Sequence, residues 1–239
     1  MRDWFESWFG EEYVALYPHR DAAEAEHAVE MIETHASASH GSKVLDLACG
    51  GGRHSRLLSQ HWRTIGLDLS PALLRLARKQ APEAEFVRGD MRVLPFRSRT
   101  FDMVVNLFTS FGYFEDDRSH LRVIEEVGRV TAAQGVFVLD FLNTEHIRET
   151  LVPYDEKVIG GMVVEQRREI SEDGRYVTKR ICIRDSSREF TERVRLFEKD
   201  ELSKMMERSG FRVTSVFGSY DGSPLTDDSP RVILFGTRT

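Results

Sequence analysis

Residues Lys43 to Ser55 read KVLDLACGGGRHS, and this stretch decides the fold. Val44, Leu45 and Leu47 form a buried strand with an acid, Asp46, inside it. The chain then breaks into Gly50, Gly51 and Gly52 and opens a helix at Arg53. A strand feeding a glycine turn feeding a helix is the nucleotide-binding corner of a doubly wound α/β sheet. Glycine lets the backbone approach a ligand because no Cβ intervenes, and the helix start offers free N–H groups to an anion.

Strand and helix alternate outward from this corner. Thr64 to Asp68 is the second predicted strand, and Ser70-Pro71 opens a helix over Ala72 to Gln80, with proline at its first position. Ala84 to Val87 and Phe101 to Asn106 are the third and fourth strands, Asp116 to Thr131 a helix, and Gly135 to Leu142 the fifth strand. Such alternation predicts a parallel sheet with helices on both faces. It then stops. Lys157 to Ile170, Arg175 to Arg184 and Arg188 to Phe197 are three expected strands without helices between them, and Asp173-Gly174 is a hairpin signal. Lys199 to Ser209 returns to helix, followed by strands Phe211 to Gly218 and Arg231 to Thr237. Upstream, Trp4 with Trp8, Phe5 with Phe9 and Tyr13 with Tyr17 stand four apart, which predicts helix broken near Gly10. A further helix is expected over Asp21 to Thr34.

The expected fold is therefore α/β: a doubly wound, seven-stranded, mostly parallel, Rossmann-like sheet with an antiparallel β insert after the fifth strand. Residues 1–40 form a helical cap or lid, 41–150 with 199–239 the ligand-binding domain, and 151–198 the insert, as a lid or an oligomer contact.

With 239 residues, 41% hydrophobic and 30% charged, the composition is that of a soluble globular chain. A net charge of −6 argues against a dedicated nucleic-acid binder, and the arginines of the insert are nearly balanced by acids. No apolar run reaches the roughly 20 residues a membrane span needs. The acidic, aromatic N-terminus is neither a signal nor a transit peptide. Cys49 and Cys182 form no metal or disulfide pattern, so no metal and a reducing cytoplasm are expected.

Ligands of open α/β sheets bind at the carboxyl ends of the strands. Asp46 and the Ala48 to Gly52 backbone close the first strand, Asp68 the second, Asp90 the third and Asn106 the fourth. An acid at the second strand end suits ribose hydroxyls. At the third, Asp90 can accept from an adenine amino group while the Met91 N–H donates to a ring nitrogen. Asp68 as a helix cap and Asp90 as a turn acid are the plain structural alternatives.

This pattern resembles the class I S-adenosylmethionine-dependent methyltransferases, whose first motif reads D-x-G-x-G-x-G. Asp46-Leu47-Ala48-Cys49-Gly50-Gly51-Gly52 matches it with Ala48 for the first glycine, and the resemblance spans about Val44 to Asn143. It implies S-adenosyl-L-methionine as cofactor, held by Asp46, Ala48, Cys49, Gly50, Gly52, Asp68, Leu69, Asp90, Met91, Asn106, Leu107 and Phe108. It also suggests an N-terminal lid, in which Tyr17 and Arg20 would grip the methionine carboxylate. The segment Phe108 to Phe114, FTSFGYF, supplies an aromatic wall for a sulfonium or else belongs to the core. Tyr113, His146 and Tyr13 are candidates for a general base, among which the sequence does not choose. Asn106-Leu107-Phe108-Thr109 is not the Asn-Pro-Pro-Tyr of enzymes that methylate base or amide nitrogens. The implied function is methyl transfer to a small-molecule acceptor, with a homodimer through the insert as one arrangement. The alternatives are an RNA or protein methyltransferase, a nicotinamide-dependent oxidoreductase, and a non-catalytic module on the same scaffold.

Overall fold

The computed structural model describes residues 3–16, 22–184, 186 and 188–239. Two short helices, α1 (Trp4–Trp8) and α2 (Glu11–Leu16), precede α3 (Ala22–His35). The core then runs β1 (Lys43–Leu47), α4 (Arg53–Leu58), β2 (Arg63–Asp68), α5 (Pro71–Gln80), β3 (Glu85–Arg88), β4 (Phe101–Asn106), α6 (Asp117–Val130) and β5 (Thr131–Leu142). After α7 (Thr144–Thr150) come β6 (Tyr154–Ile159), β7 (Met162–Ile170), β8 (Tyr176–Ile183) and β9 (Glu189–Arg195). The chain closes with α8 (Lys199–Arg208), β10 (Phe211–Phe217) and β11 (Arg231–Arg238).

The main sheet has seven strands in the order β10-β11-β5-β4-β1-β2-β3. β1 pairs in parallel with both β2 and β4, and β11 runs antiparallel between β5 and β10. Strand pleating sends alternate residues to opposite faces. Leu45, Leu47, Val104, Phe137 and Leu139 therefore pack with Val123, Ile124, Val127, Leu202 and Met206 of α6 and α8. Val44, Met103, Val105, Val136 and Val138 pack on the other face with Val29, Ile32, Leu57 and Leu58 of α3 and α4. Local signals set the helix starts. Ser70 accepts the Leu73 N–H at 3.2 Å with Pro71 behind it, Asp116 accepts the Ser119 N–H at 2.8 Å, and Glu198 and Glu201 form a capping box.

The insert differs from expectation in one respect. It is a four-stranded antiparallel sheet, β6-β7-β8-β9, separate from the main sheet. The expected strand Lys157 to Ile170 is two, turned at Gly160 and Gly161, whose φ values of 57° and 82° only glycine adopts without strain. A short helix, α7, was also not read from the sequence. The aromatic side of α1 and α2 fills the space between the insert and α5, where Trp8, Tyr13 and Leu16 cluster with Leu73, Val164 and Ile181.

Candidate active site

The turn after β1 is built from left-handed backbone: Ala48, Gly50 and Gly52 have φ of 59°, 55° and 85°. Ala48 bears a steric cost of roughly 1–2 kcal/mol that the first glycine of the motif would avoid. At Gly52 a Cβ would meet Ala77 Cα at 2.9 Å, so glycine here lets α4 and α5 approach. At Gly50 a Cβ would meet nothing within 4 Å, because the backbone faces a cavity.

Three acids stand near this turn in different states. Asp68 accepts the Gly50 N–H at 2.9 Å and the Ser70 N–H at 2.8 Å, which leaves lone pairs toward the cavity it lines. Burial raises its pKa, and the backbone N–H groups partly offset that rise. Asp68 is not the α5 cap; Ser70 is. Asp46 is buried behind the turn, accepts Ser55 Oγ at 2.6 Å and is pushed by burial up to about 6. Burial also works against the Asp90 carboxylate, but hydrogen bonds from the Arg92 guanidinium, at 2.7 Å, and backbone N–H, at 2.8 Å, hold it below the usual range. Arg92 in turn reaches Asp3, ahead of α1, at 3.3 Å. Burial and the neighbouring Asp46 and Asp68 push the Cys49 thiol up, so it stays protonated at neutral pH.

The loop after β4 is held from below. Phe108 and Thr109 both adopt left-handed backbone, with φ of 58° and 57°. Asp140 of β5 is fully buried and accepts the Phe108 N–H at 2.6 Å, the Tyr220 hydroxyl at 2.6 Å and the Arg231 Nε. Arg231 also donates to Thr109 Oγ1 at 3.0 Å. Burial and the Asp140 charge push the Tyr220 phenol up, which keeps it a donor. Burial opposes the Arg231 charge, but Asp140 outweighs it and the pKa rises. The ring of Phe108 lies 4.0 Å beneath the Arg53 guanidinium.

These elements enclose a cavity of about 690 Å³. Ala48, Cys49, Gly50, Asp68, Leu69, Asp90, Met91, Leu107 and Phe108, all expected at the site, line it, as do Tyr13 and Tyr113. Asp46, Gly52, Asn106 and His146 do not. Asp46 stands behind the turn as support, and Gly52 ends the turn against Ala77 of α5. The pleat of β4 aims Asn106 into the sheet, where its Nδ2 donates to Leu47 O at 2.9 Å. His146 sits on α7, away from the cavity. Tyr17 and Arg20 lie outside the described residues.

Sequence reasoning expected an N-terminal lid, here the roof, but named only Tyr13 among the residues that line the cavity from it, and it missed the clamp. Phe5, Glu6, Phe9 and Val14 join Tyr13 in lining the cavity from α1, α2 and the turn between them. Their rings meet the β4 loop edge-on or tilted: Trp4 to Tyr113 at 5.2 Å, Phe5 to Phe114 at 5.6 Å and Phe9 to Tyr113 at 5.7 Å. Among its described residues the insert contributes none to the lining; it backs the roof, with Glu192 accepting from Trp8 Nε1 at 2.7 Å. The aromatic i, i+4 spacing was the available signal for the roof. Asp140, Tyr220 and Arg231 lie too far apart in sequence to give one.

The arrangement offers a backbone cradle, an acid at each of two strand ends and an aromatic cover, a set that suits a nucleoside with a cationic centre. Residues 44–135 match the family model described as a methyltransferase domain. Residues 44–135 are thus a methyltransferase domain of the class I S-adenosylmethionine-dependent kind.

The methyltransferase domain is 41% identical over 100 residues to a demethylmenaquinone methyltransferase of Thermotoga maritima, which covers 41% of this chain and 42% of that protein. The chain thus spans less than half the length of that relative. It is 28% identical over 214 residues to a dTDP-4-amino-2,3,4,6-tetradeoxy-D-glucose N,N-dimethyltransferase of Saccharopolyspora spinosa, covering 85% of this chain and 84% of that one. Among solved structures, an S-adenosylmethionine-dependent methyltransferase from Clostridium acetobutylicum superposes with a TM-score of 0.78 at 17% identity, over 95% of this chain and 96% of that chain. That likeness is one of fold. No helix among the described residues is long and apolar enough to cross a membrane.

Proposed function

We propose that the chain transfers a methyl group from S-adenosylmethionine to a small-molecule acceptor held under the N-terminal roof. The observation that carries this is that the glycine turn, Asp68 and Asp90 share one cavity with the chain's own α1 and α2. Its volume, about 690 Å³, falls in the range of small-ligand sites, and an acceptor must fit beside the donor beneath the roof. The two relatives named above are named for small acceptors, a demethylmenaquinone and an amino sugar, which supports the same class.

The residues fit the cofactor. Gly50 leaves open space at the turn, and Asp68 keeps acceptor capacity for two ribose hydroxyls. Asp90 and Met91 would hold the adenine, and Leu107 with Phe108 the methionine portion. When bound, the sulfonium supplies an activated methyl group that leaves a neutral thioether behind. The chain's part is alignment and exclusion of water: the clamped β4 loop fixes one wall, and Phe5, Phe9 and Tyr13 cover the other. Where the acceptor arrives protonated, Tyr13 and Tyr113 are the candidate bases that reach the cavity.

Residues 1–40 act as the lid in this reading. A second copy of the chain is the partner proposed for the insert, whose edge strand β6 exposes Tyr154 and Val158. Two free cysteines fit a reducing compartment.

Calorimetry with S-adenosylmethionine, its demethylated product and a nicotinamide dinucleotide tests the assignment. The first two bind, the third does not, and Asp68→Ala weakens binding by about 1–3 kcal/mol through unpaired hydroxyls. Dinucleotide binding without sulfonium binding would sink it. Labelled-methyl incorporation across metabolite pools then identifies the acceptor.

A further inference from the structure

At the opposite end of the sheet the fold gathers three side chains that the sequence keeps apart: Glu33, His40 and His61. One donor atom from each lies within 4.8 Å of the other two. His61 Nδ1 stands 3.0 Å from Glu33 Oε1, and the His40 and His61 rings face each other at 6.2 Å with 31° between their planes. Glu33 and His40 are exposed and His61 is half-buried.

The backbone under each donor is anchored. Glu33 is on the last turn of α3, whose inner face is buried through Val29 and Ile32. His40 is in the link to β1, shaped by Ala36 N–H to Ile32 O at 2.8 Å, Ser42 N–H to Ser39 O at 3.1 Å and Trp62 Nε1 to Ala38 O at 3.4 Å. His61 follows α4, its N–H bonded to Leu58 O at 3.1 Å, next to the buried Trp62.

We propose that Glu33, His40 and His61 bind a divalent first-row transition cation, zinc being the physiologically common case. Two imidazoles and a carboxylate are the borderline donor set such ions prefer, whereas magnesium and calcium demand oxygen ligands. Tetrahedral bonds of 2.0–2.1 Å would bring the donors to about 3.3 Å from one another. The His61–Glu33 pair is already at that spacing, so an exposed His40 side chain has the main adjustment to make. Water fills the fourth position.

The site lies at the amino ends of β1 and β2, where Lys43 pairs with Arg63, while the cavity lies at their carboxyl ends. The strands put roughly 15 Å between them, so this cation takes no part in methyl transfer. It ties three segments, α3, the link to β1 and the α4–β2 turn, into one unit beneath the glycine turn. The inference stands independently of the proposed reaction.

The test is titration of the untagged full chain with zinc chloride, with magnesium chloride as control. One equivalent of zinc binds and magnesium does not. His40→Ala and His61→Ala each weaken zinc binding by at least about tenfold, the lower end of what loss of even a supporting partner does at metal sites. Cys182→Ser leaves it unchanged. The metal-free thermal midpoint of each variant reports folding; should His61→Ala unfold, His40→Ala and Glu33→Gln decide. No zinc binding, binding unaltered in the histidine variants, or binding lost with Cys182 overturns the proposal.

Discussion

The two walls of the cavity are made in opposite ways. The floor, from the glycine turn to the β4 loop, hangs on buried polar contacts: Asp46 to Ser55, Asp68 to two backbone N–H groups, and Asp140 to Phe108, Tyr220 and Arg231. The roof, α1 and α2, is held by aromatic edges against Tyr113 and Phe114, by Trp8 against the insert, and by few polar ties such as Arg92 to Asp3 and Ser70 Oγ to Phe9 O. Buried charge networks have one good geometry, and breaking them leaves an unpaired group out of water. Aromatic contacts tolerate sliding, and half-exposed ion pairs add little. A floor of the first kind is preorganised for alignment, and a roof of the second kind can lift to admit a ligand.

The largest expected effect breaks the floor. Asp140→Ala strands the Arg231 guanidinium and releases the Phe108 N–H, so chemical denaturation should show a loss of about 3–5 kcal/mol. Pairing it with Arg231→Met should recover part of that loss, because no lone charge remains. A single Asp140 variant as stable as the parent would remove the floor's claim to rigidity.

The next effect sharpens the comparison through pH. Asp46 holds its proton in the folded chain up to about pH 6, whereas the ordinary carboxyl releases it near 3.8. The folded state thus binds more protons across that window, and this group's contribution makes stability fall as pH rises through it, by up to about 3 kcal/mol. Asp46→Asn, which keeps an acceptor for Ser55, should raise the thermal midpoint at pH 7.5 and not below pH 4. His120 opposes this slope: buried among Phe111, Phe114 and Phe197, its pKa is lowered by burial to about 4. Between pH 4 and 6.5 the unfolded chain takes up the proton, so this contribution rises with pH. The parent should therefore show a flatter profile than Asp46→Asn, whose stability should climb from pH 4 to 6.5.

The smallest effect concerns the roof. Arg92→Met removes the tie between Asp3 and Asp90 and should change stability by no more than about 1 kcal/mol. Hydrogen exchange should nevertheless speed up over Trp4 to Leu16 and stay unchanged over Val104 to Ser110. Equal acceleration in both segments would mean that roof and floor open together.

Sequence alone determined the parts whose causes are local. The glycine turn, the alternation of strands and helices, Ser70-Pro71 and the Asp173-Gly174 hairpin all follow from neighbouring residues, and these set the sheet and the strand ends that carry Asp68 and Asp90. Position along a strand also pointed to Asn106, but the pleat, not the position, aims a side chain, and it aims this one at Leu47. The Gly160-Gly161 pair is the local signal for the split of β6 from β7, and apolar residues that continue on both sides of it mask that signal. Only the tertiary structure decided the rest. Asp140, Tyr220 and Arg231 meet because β11 lies beside β5, and Glu33, His40 and His61 meet because α3 and α4 pack on one face. The roof is backed by the insert, one layer further out, where Glu192 accepts from Trp8. Such contacts join residues far apart in the chain; they come from which surfaces are buried together, which no local pattern encodes.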